Sequence, residues 1–166
     1  NVDIDSKTGA LMLDSNVMFD YNKADLTEEG KAVLDQVLPI YCQVLMKEEY
    51  QDYLAEIIID GYTDTDGDYD YNLELSQKRS LAVAQYLTEI RENFLSSDEI
   101  SELQNYLTVN GHGSANPVLD SDGNVNKDAS RRVEVKFRLK DDEMINELNQ
   151  IMNTDKTSDS EKSGSN

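Results

Sequence analysis

The segment from Ile57 to Arg79 constrains the fold more than any other part of the chain, because a short apolar run there breaks into a turn and then into an amphipathic pattern. It reads IIIDGYTDTDGDYDYNLELSQKR. Three successive isoleucines, bounded by Asp60 and Gly61, predict a short buried strand. Gly61 and Gly67 then allow the backbone to turn. The segment therefore predicts a strand that is followed directly by a helix.

Four polar residues of this segment form a candidate binding site. Asn72, Ser76 and Arg79 are separated by four and three residues, so a helix places them on one face. Asp64 lies in the loop before that helix. A carboxylate, a guanidinium and the free N–H groups of a helix N-terminus could together clamp a small zwitterion. Taken alone, however, an acidic turn residue followed by a helical arginine is more commonly a structural ion pair or an Asx turn.

Three ordered blocks of residues extend the pattern beyond this segment. They are Phe19-Asp20-Tyr21-Asn22-Lys23-Ala24 with Leu26; Gly61-Tyr62-Thr63-Asp64 with Gly67, Asn72, Leu75-Ser76, Arg79 and Ser80; and Gly111-His112-Gly113 with Pro117 and Arg131-Arg132-Val133-Glu134. In this order the blocks resemble the peptidoglycan-binding domain of the OmpA family, which Pal lipoproteins and the flagellar stator protein MotB share. The chain departs from the usual pattern at Tyr62, Ser80 and Ser130, where the family usually has His, Ala and Asn.

The resemblance implies an α/β sandwich of the α+β class, similar to the OmpA C-terminal domain. In such a fold a small mixed sheet has helices packed on one face and is preceded by a short β-hairpin. The domain would span residues 1–152, with its core motifs at 19–139. Residues 153–166 are rich in Ser, Asp, Lys and Gly, and this composition predicts a disordered polar tail.

The function that the resemblance implies is noncatalytic binding of peptidoglycan through the diaminopimelate of its stem peptide, without a cofactor. The free end of diaminopimelate carries an ammonium and a carboxylate. Asp64 would bind the ammonium and Arg79 the carboxylate. Asn22 and Asn72 would add neutral hydrogen bonds, and Arg131 would line the rim. The full set of implied peptidoglycan-binding residues is Asp20, Asn22, Thr63, Asp64, Asn72, Arg79 and Arg131.

The resemblance also implies a location outside the cytoplasm, in the periplasm or on the cell-wall side of a membrane protein. The chain would anchor that protein to the wall, either as a static anchor or as part of a MotB-like motor subunit. It has no run of about 20 apolar residues and begins without Met or a signal sequence, so membrane attachment is expected only through a segment outside this chain. Inner or outer membrane, monomer or homodimer, and a stem peptide with diaminopimelate or with lysine are all compatible with the sequence.

The remaining patterns predict an alternation of strands and helices. Residues 2–14 read as a hairpin with its turn at 6–9, and Thr27 is a candidate N-cap for a first long helix. A second helix is predicted at 71–94, a short one at 98–106, and strands at 107–110 and 132–139. The residues of the last strand expected to point inward are Val133, Val135, Phe137 and Leu139. Residues 141–152 can extend as a helix whose apolar stripe comprises Met144, Ile145, Leu148, Ile151 and Met152.

The charge of the chain excludes some partners. Its 166 residues include 34 acidic and 15 basic side chains, which gives a formal net charge of −19. Long-range electrostatics would repel both nucleic acid and an anionic membrane surface. The same charge weakly opposes approach to an anionic wall polymer, so wall binding must come from a local pocket and should depend on salt. The single cysteine, Cys42, cannot form an internal disulfide and is expected to lie buried in the core.

Two other classes of function fit parts of the sequence. Alternating acidic residues at 64–70 and 120–124 are compatible with a calcium-dependent extracellular interaction module, although neither loop has the Gly and Glu that an EF-hand requires. A nonstandard calcium site therefore stays open as the alternative function. Paired carboxylates could hydrolyse glycosides, yet no Ser/His/Asp or Cys/His arrangement accompanies them, and we expect no enzyme. His112 has no second ligand at metal spacing, so no zinc site is predicted.

Overall fold

A computed structural model describes residues 2–141, 143 and 146–152. Its strands are β1 (Val2–Ile4), β2 (Leu11–Asp14), β3 (Leu54–Tyr62), β4 (Leu107–Gly111) and β5 (Arg132–Leu139). Its main helices are α1 (Ser15–Met18), α2 (Glu28–Leu45), α3 (Glu48–Gln51), α4 (Tyr69–Ile90), α5 (Ser97–Tyr106) and α6 (Lys127–Ser130). The strands form one five-stranded sheet in the order β1-β2-β5-β3-β4.

The sheet is mixed, and its register fixes one end at which the functional loops emerge. β3 and β4 run parallel, whereas the other neighbouring pairs run antiparallel. Val2, Leu13, Val133, Gly61 and Gly111 lie side by side in one row across the five strands. β1 therefore begins at the end of the sheet where β3 leads into the 63–68 loop. The predicted N-terminal hairpin and mixed sheet are confirmed.

The hydrophobic core lies between one face of the sheet and the helices, as the resemblance implied. Strands β2, β3 and β5 contribute alternating side chains, and α2 and α4 contribute their apolar stripes. Full burial of each such side chain is worth about 1.5–3 kcal/mol. The central core residues are Leu13, Leu34, Leu38, Cys42, Ile57, Ile59, Val83, Leu87, Val133 and Val135.

Asp60 is the centre of a polar network on the opposite face of the sheet. It is 3% exposed, and its carboxylate lies 2.8 Å from Lys136 Nζ, 2.9 Å from His112 Nε2 and 3.0 Å from Asn110 Nδ2. Burial alone would raise the pKa of Asp60, but the hydrogen bonds from Lys136, His112 and Asn110 outweigh burial and lower it. A charge in the middle of the sheet is thus compensated by side chains from both neighbouring strands.

The three residues that depart from the family pattern all have structural partners. Tyr62 stacks on His112 with ring centroids 4.8 Å apart, and Arg132 Cζ lies 4.0 Å from the Tyr62 ring centroid. Ser80 Oγ donates to a main-chain carbonyl of β4 at 2.8 Å. Ser130 Oγ donates to the carbonyl of the α6 N-cap residue at 2.6 Å. The three residues that replace the family's usual His, Ala and Asn therefore make contacts that stabilise the fold.

The two long helices begin at capping residues. Thr27 Oγ1 accepts a hydrogen bond from Gly30 N at 2.9 Å, which confirms the predicted N-cap of α2. α4 begins at Tyr69, two residues earlier than predicted, because the Asp68 side chain accepts from Tyr71 N and caps the helix. It ends at Ile90, before a single 3₁₀ turn at Arg91–Asn93, instead of continuing to residue 94.

The C-terminal end of β5 differs from the prediction. Leu139 is exposed, although its pairing partner Leu54 on the same face of the sheet is buried. Residues 146–152 are helical, with Leu148, Ile151 and Met152 exposed. The other two residues of the predicted stripe, at 144–145, and the predicted tail at 153–166 lie outside the described residues. Within the part of the chain that the structure describes, each helix is too short or too polar to traverse a lipid bilayer.

Candidate functional site

Two glycines let the first turns of α4 approach the ends of β3 and β4. A Cβ atom on Gly61 would lie 2.3 Å from the Ser76 carbonyl oxygen, and one on Gly111 would lie 2.4 Å from Gln77 N. Ser76 Oγ also accepts a hydrogen bond from Gly113 N at 2.9 Å. This close approach brings the helix face that carries Arg79 next to the loop that follows β3.

A cleft of about 330 Å³ lies between this loop, the start of α4, and the segment around residue 21. Its walls come from all three sequence blocks. Six of the seven predicted site residues line it, and Asp20 is the exception. The lining residues are Tyr21, Asn22, Thr63, Asp64, Asp66, Gly67, Tyr71, Asn72, Leu75, Arg79 and Arg131.

Arg79 is a buried cation held by main-chain carbonyls. It is 5% exposed, its Nε donates to Lys23 O at 2.9 Å, and its Nη2 lies 3.4 Å from Asp20 O. Its Cζ lies 5.0 Å from the Phe19 ring centroid. Among the described residues, no carboxylate oxygen comes within 4.0 Å of its nitrogens. Burial lowers the pKa of Arg79, although an arginine still stays charged at physiological pH.

The Asp64 carboxylate is half-buried and is positioned by two donors. Its Oδ1 accepts from Asp66 N at 2.9 Å, and its Oδ2 lies 2.5 Å from Arg131 Nη1. Thr63 Oγ1 donates to the Asp64 carbonyl at 2.8 Å and steadies the start of the loop. Asp64 and Arg79 share no hydrogen bond or ion pair in the described structure, so they are not simply each other's structural partners.

Asn72 and Arg131 organise the cleft from two sides. Asn72 is buried, and its Nδ2 donates to Asp66 O at 2.8 Å, which closes the loop over the helix start. Arg131 lies at the rim, where its Nε donates to Asn16 Oδ1 at 3.0 Å and its Nη2 contacts Asp128. Much of the hydrogen-bonding capacity of Asn72 and Arg131 is therefore used to order the site itself.

The structure places one predicted site residue outside the cleft lining and places others, not predicted, within it. Asp20 contributes its carbonyl oxygen to Arg79, and its side chain does not line the cleft. Tyr21 and Tyr71 line the cleft but were not singled out from the sequence. Each tyrosine directly precedes an asparagine that was predicted to bind ligand, and this adjacency could have indicated that the tyrosines line the cleft.

A larger groove, of about 770 Å³, lies at the other end of the sheet. Among the described residues, its lining is almost entirely apolar and includes a single acidic residue, Glu49, with no arginine or lysine. Such a groove offers no pair of opposite charges to a zwitterion. We therefore assign the charge-bearing cleft, although smaller, as the candidate site.

The described residues provide no cluster for a metal ion. No group of three or more His, Cys, Asp or Glu side chains among them is arranged to hold one. In the 64–70 loop, Asp64 is bonded to Arg131, Asp66 lies 3.0 Å from Lys127 Nζ, and Asp68 caps α4. These carboxylates are thus used by the fold, and the geometry does not favour the calcium alternative.

The fold and the cleft define the class of protein. The chain belongs to the OmpA family, whose model matches residues 18–131. Domains of this family are typically peptidoglycan-binding and noncatalytic. The family expected from the three sequence blocks is therefore confirmed.

Individual relatives include envelope and Zorya proteins. The chain is similar to the Zorya protein ZorB of Escherichia coli O139:H28, with 34% identity over 129 residues that cover 74% of this chain and 50% of that protein. It is also similar to outer membrane protein A of Escherichia fergusonii, with 36% identity over 112 residues that cover 68% of this chain and 40% of that protein. The chain thus spans about half the length of the curated relatives that it matches.

Solved structures show the same fold at lower identity. The periplasmic domain of Helicobacter pylori MotB aligns with a TM-score of 0.60 and 19% identity, covering 93% of this chain and 98% of that one. The cell wall anchor of the T6SS from Pseudomonas aeruginosa aligns with a TM-score of 0.55 and 18% identity, covering 84% and 88%. The predicted OmpA-like α/β fold is therefore confirmed.

Proposed function

We propose that this chain binds peptidoglycan through the diaminopimelate of the stem peptide and thereby anchors a larger envelope protein to the cell wall. One observation carries the proposal: the buried guanidinium of Arg79 has no carboxylate partner among the described residues and lines the same cleft as the Asp64 carboxylate. Burying a charge without a counter-charge is costly. A ligand carboxylate would supply the missing counter-charge.

Arg79 has donors to spare for this ligand. A guanidinium carries five N–H donors, and the described contacts use only Nε and one Nη2 hydrogen. The remaining donors can form a charge-assisted, bidentate pair with a carboxylate. Each hydrogen bond to a charged group contributes about 1.5–3 kcal/mol. Because Asp20 O and Lys23 O already fix the guanidinium, little side-chain entropy is lost on binding.

Asp64 is suited to the ammonium of the same ligand. An ionised carboxylate offers about four lone-pair sites, of which Asp66 N and Arg131 occupy two. An ammonium donates three hydrogens, and one or two can reach the unused lone pairs of Asp64. The neighbouring Thr63 and Asn72 complete a polar wall. A lysine within a stem peptide carries the side-chain ammonium but has no carboxylate beside it, so it would leave Arg79 unpaired.

The proposed location is the extracytoplasmic side of the cell envelope. The solved relatives named above are a periplasmic domain and a cell wall anchor, which supports this location. A static anchor and a MotB-like motor subunit use the same cleft and differ in segments outside this chain. In the motor case, we expect an acidic residue within a transmembrane helix of the full-length protein.

Calorimetric titration with meso-diaminopimelate, and separately with Nα-acetyl-lysine amide, tests the proposal, because the blocked lysine presents only its side-chain ammonium, as it would in a stem peptide. We expect saturable binding of diaminopimelate, at least tenfold weaker binding of the blocked lysine, and loss of binding in Asp64→Ala and Arg79→Ala. Arg79→Lys keeps the charge but not the planar fork, so it should recover only part of the affinity. Arg138→Ala is the matched control, because Arg138 is exposed and pairs with Glu56 far from the cleft.

Co-sedimentation with purified sacculi extends the test to the polymer. We expect the wild-type chain and Arg138→Ala to sediment with sacculi, and both cleft variants to stay in the supernatant. Circular dichroism must first show that each variant is folded. A folded wild-type chain that binds neither diaminopimelate nor sacculi would refute the proposal.

A further inference from the structure

Two exposed tyrosines that the charge clamp does not use form a rim on the cleft. Tyr21 is 88% exposed, and Tyr71 is 45% exposed. They line the cleft from different elements, Tyr21 from the segment before α2 and Tyr71 from the first turns of α4. We call this pair the aromatic rim.

Tyr21 is presented by a turn that is tied to Arg79. Lys23 N donates to Asp20 O at 3.0 Å, so residues 20–23 form a β-turn with Tyr21 and Asn22 at its centre. Asn22 adopts φ +56°, the left-handed conformation that asparagine tolerates at such a position. The carbonyls at both ends of the turn accept from Arg79. The position of Tyr21 is thus fixed relative to the proposed carboxylate-binding group.

Packing does not explain the exposure of Tyr21. Its side chain makes no hydrogen bond or aromatic contact with the described residues, and most of its surface faces solvent. Tyrosine has a large apolar ring and a polar hydroxyl, a combination that suits binding surfaces. An unpacked ring on an ordered turn beside a ligand cleft therefore points to a ligand contact.

We propose that the aromatic rim holds a neutral sugar ring of the peptidoglycan glycan strand while the charge clamp holds diaminopimelate. This inference rests on the proposed binding of diaminopimelate. The flat, C–H-bearing face of a pyranose packs on a tyrosine ring, and its hydroxyls reach polar groups nearby. The surroundings favour a neutral partner, because the exposed carboxylates of Asp66, Asp68 and Asp70 would repel the other carboxylates of the stem peptide.

Three ligands of increasing size separate the contributions. They are meso-diaminopimelate, the tripeptide that ends in diaminopimelate, and the disaccharide tripeptide. For the wild-type chain we expect the disaccharide to increase affinity over the tripeptide by about three- to tenfold, the range of one aromatic contact. Tyr21→Ala should remove this increment, and Tyr21→Phe should keep it. The control is Tyr69→Ala, because Tyr69 is 61% exposed at the start of the same helix but does not line the cleft.

The outcomes distinguish this inference from the proposed function. If diaminopimelate itself does not bind, the proposed function fails. If diaminopimelate binds but the disaccharide adds no affinity, or if Tyr21→Ala retains the increment, the sugar-binding rim is overturned. An equal loss of affinity for the tripeptide and the disaccharide tripeptide would assign the rim to the peptide and also overturn it.

Discussion

Arg131 Nη1 lies 2.5 Å from Asp64 Oδ2, although 67 residues separate them in the sequence. Asn16 of α1 and Asp128 of α6 in turn hydrogen-bond to Arg131. Arg131 therefore links the Asp64 carboxylate to two further elements and fixes its position. We therefore expect Arg131→Ala to weaken diaminopimelate binding by about 1 kcal/mol, or roughly fivefold in Kd, through loss of preorganisation. Calorimetry measures the change.

Asp128→Ala is the companion variant, because it leaves the contact between Arg131 and Asp64 in place and removes one of its supports. Its affinity should fall between those of the wild-type chain and Arg131→Ala. Hydrogen exchange at Asp66 N, which donates to Asp64, should quicken in the same order. Unchanged affinity in both variants would mean that the loop positions Asp64 without the arginine.

The close approach of α4 to the sheet should make Gly61 intolerant of a side chain. A Cβ atom 2.3 Å from the Ser76 carbonyl forces the helix to shift. We expect Gly61→Ala to lower the free energy of unfolding by about 2–3 kcal/mol, as measured by urea denaturation. At Gly123, a Cβ would meet nothing within 4 Å, and only its φ of +87° opposes alanine. Gly123→Ala should therefore cost about 1 kcal/mol, and equal losses at both sites would contradict the steric explanation.

The buried thiol of Cys42 should be unreactive in the folded chain. Burial raises its pKa to about 12. In the unfolded chain the thiol pKa is about 8.5. The contribution of Cys42 to the free energy of unfolding is therefore fully present below pH 8.5 and is lost progressively as the pH rises toward 12. We expect iodoacetamide at pH 8 to label Cys42 only when urea unfolds the protein. Rapid labelling of the native chain would show that the core opens locally around α2.

The Asp60 network predicts a dependence of stability on acid. The folded-state pKa of Asp60 is lowered, so its stabilising contribution is present above the unfolded pKa of about 3.9 and is lost as the pH falls through the folded value. Asp60→Asn should lower the free energy of unfolding by about 2 kcal/mol at pH 7. The difference between variant and wild type should shrink at pH 3 in urea denaturation. A difference that does not change with pH would assign the loss to packing.

Local sequence patterns predicted the strands and the longer helices, whereas the four-residue helices α1, α3 and α6 were not predicted. The isoleucine run predicted β3, and Thr27 predicted the start of α2, because strand and cap signals act within a few residues. Leu139 lies on the predicted face of the sheet but is exposed, because alternation gives the face of a residue and not how far neighbouring side chains cover it. The start of α4 was missed by two residues, because any of several acidic residues before Tyr71 could have been the cap.

The candidate site was predictable where the sequence spacing itself sets the geometry. Asp64 and Arg79 line one cleft, as the strand, turn and helix order suggested. The bond between Asp64 and Arg131 was not predictable, because it joins elements distant in sequence. The contact between the Asp20 carbonyl oxygen and Arg79 was also not predictable, because every residue has a main-chain carbonyl and the residue type does not show which one is used. Whether these residues bind peptidoglycan stays a prediction.

The row that joins Val2 to Gly61 across the sheet has a mechanical consequence. A force applied between the start of β1 and the cleft acts across the strands, along the inter-strand hydrogen bonds, and opens them one after another. The β1–β2 hairpin has only three paired positions, so it would peel away first, at low load, while the cleft stays intact.

Single-molecule pulling between residues 2 and 64 should therefore show an early extension step. The same step should need more force between residues 2 and 139, because Leu139 lies at the opposite end of the sheet and the pull partly shears the strands. The hairpin would then act as a compliant element in series with the cleft.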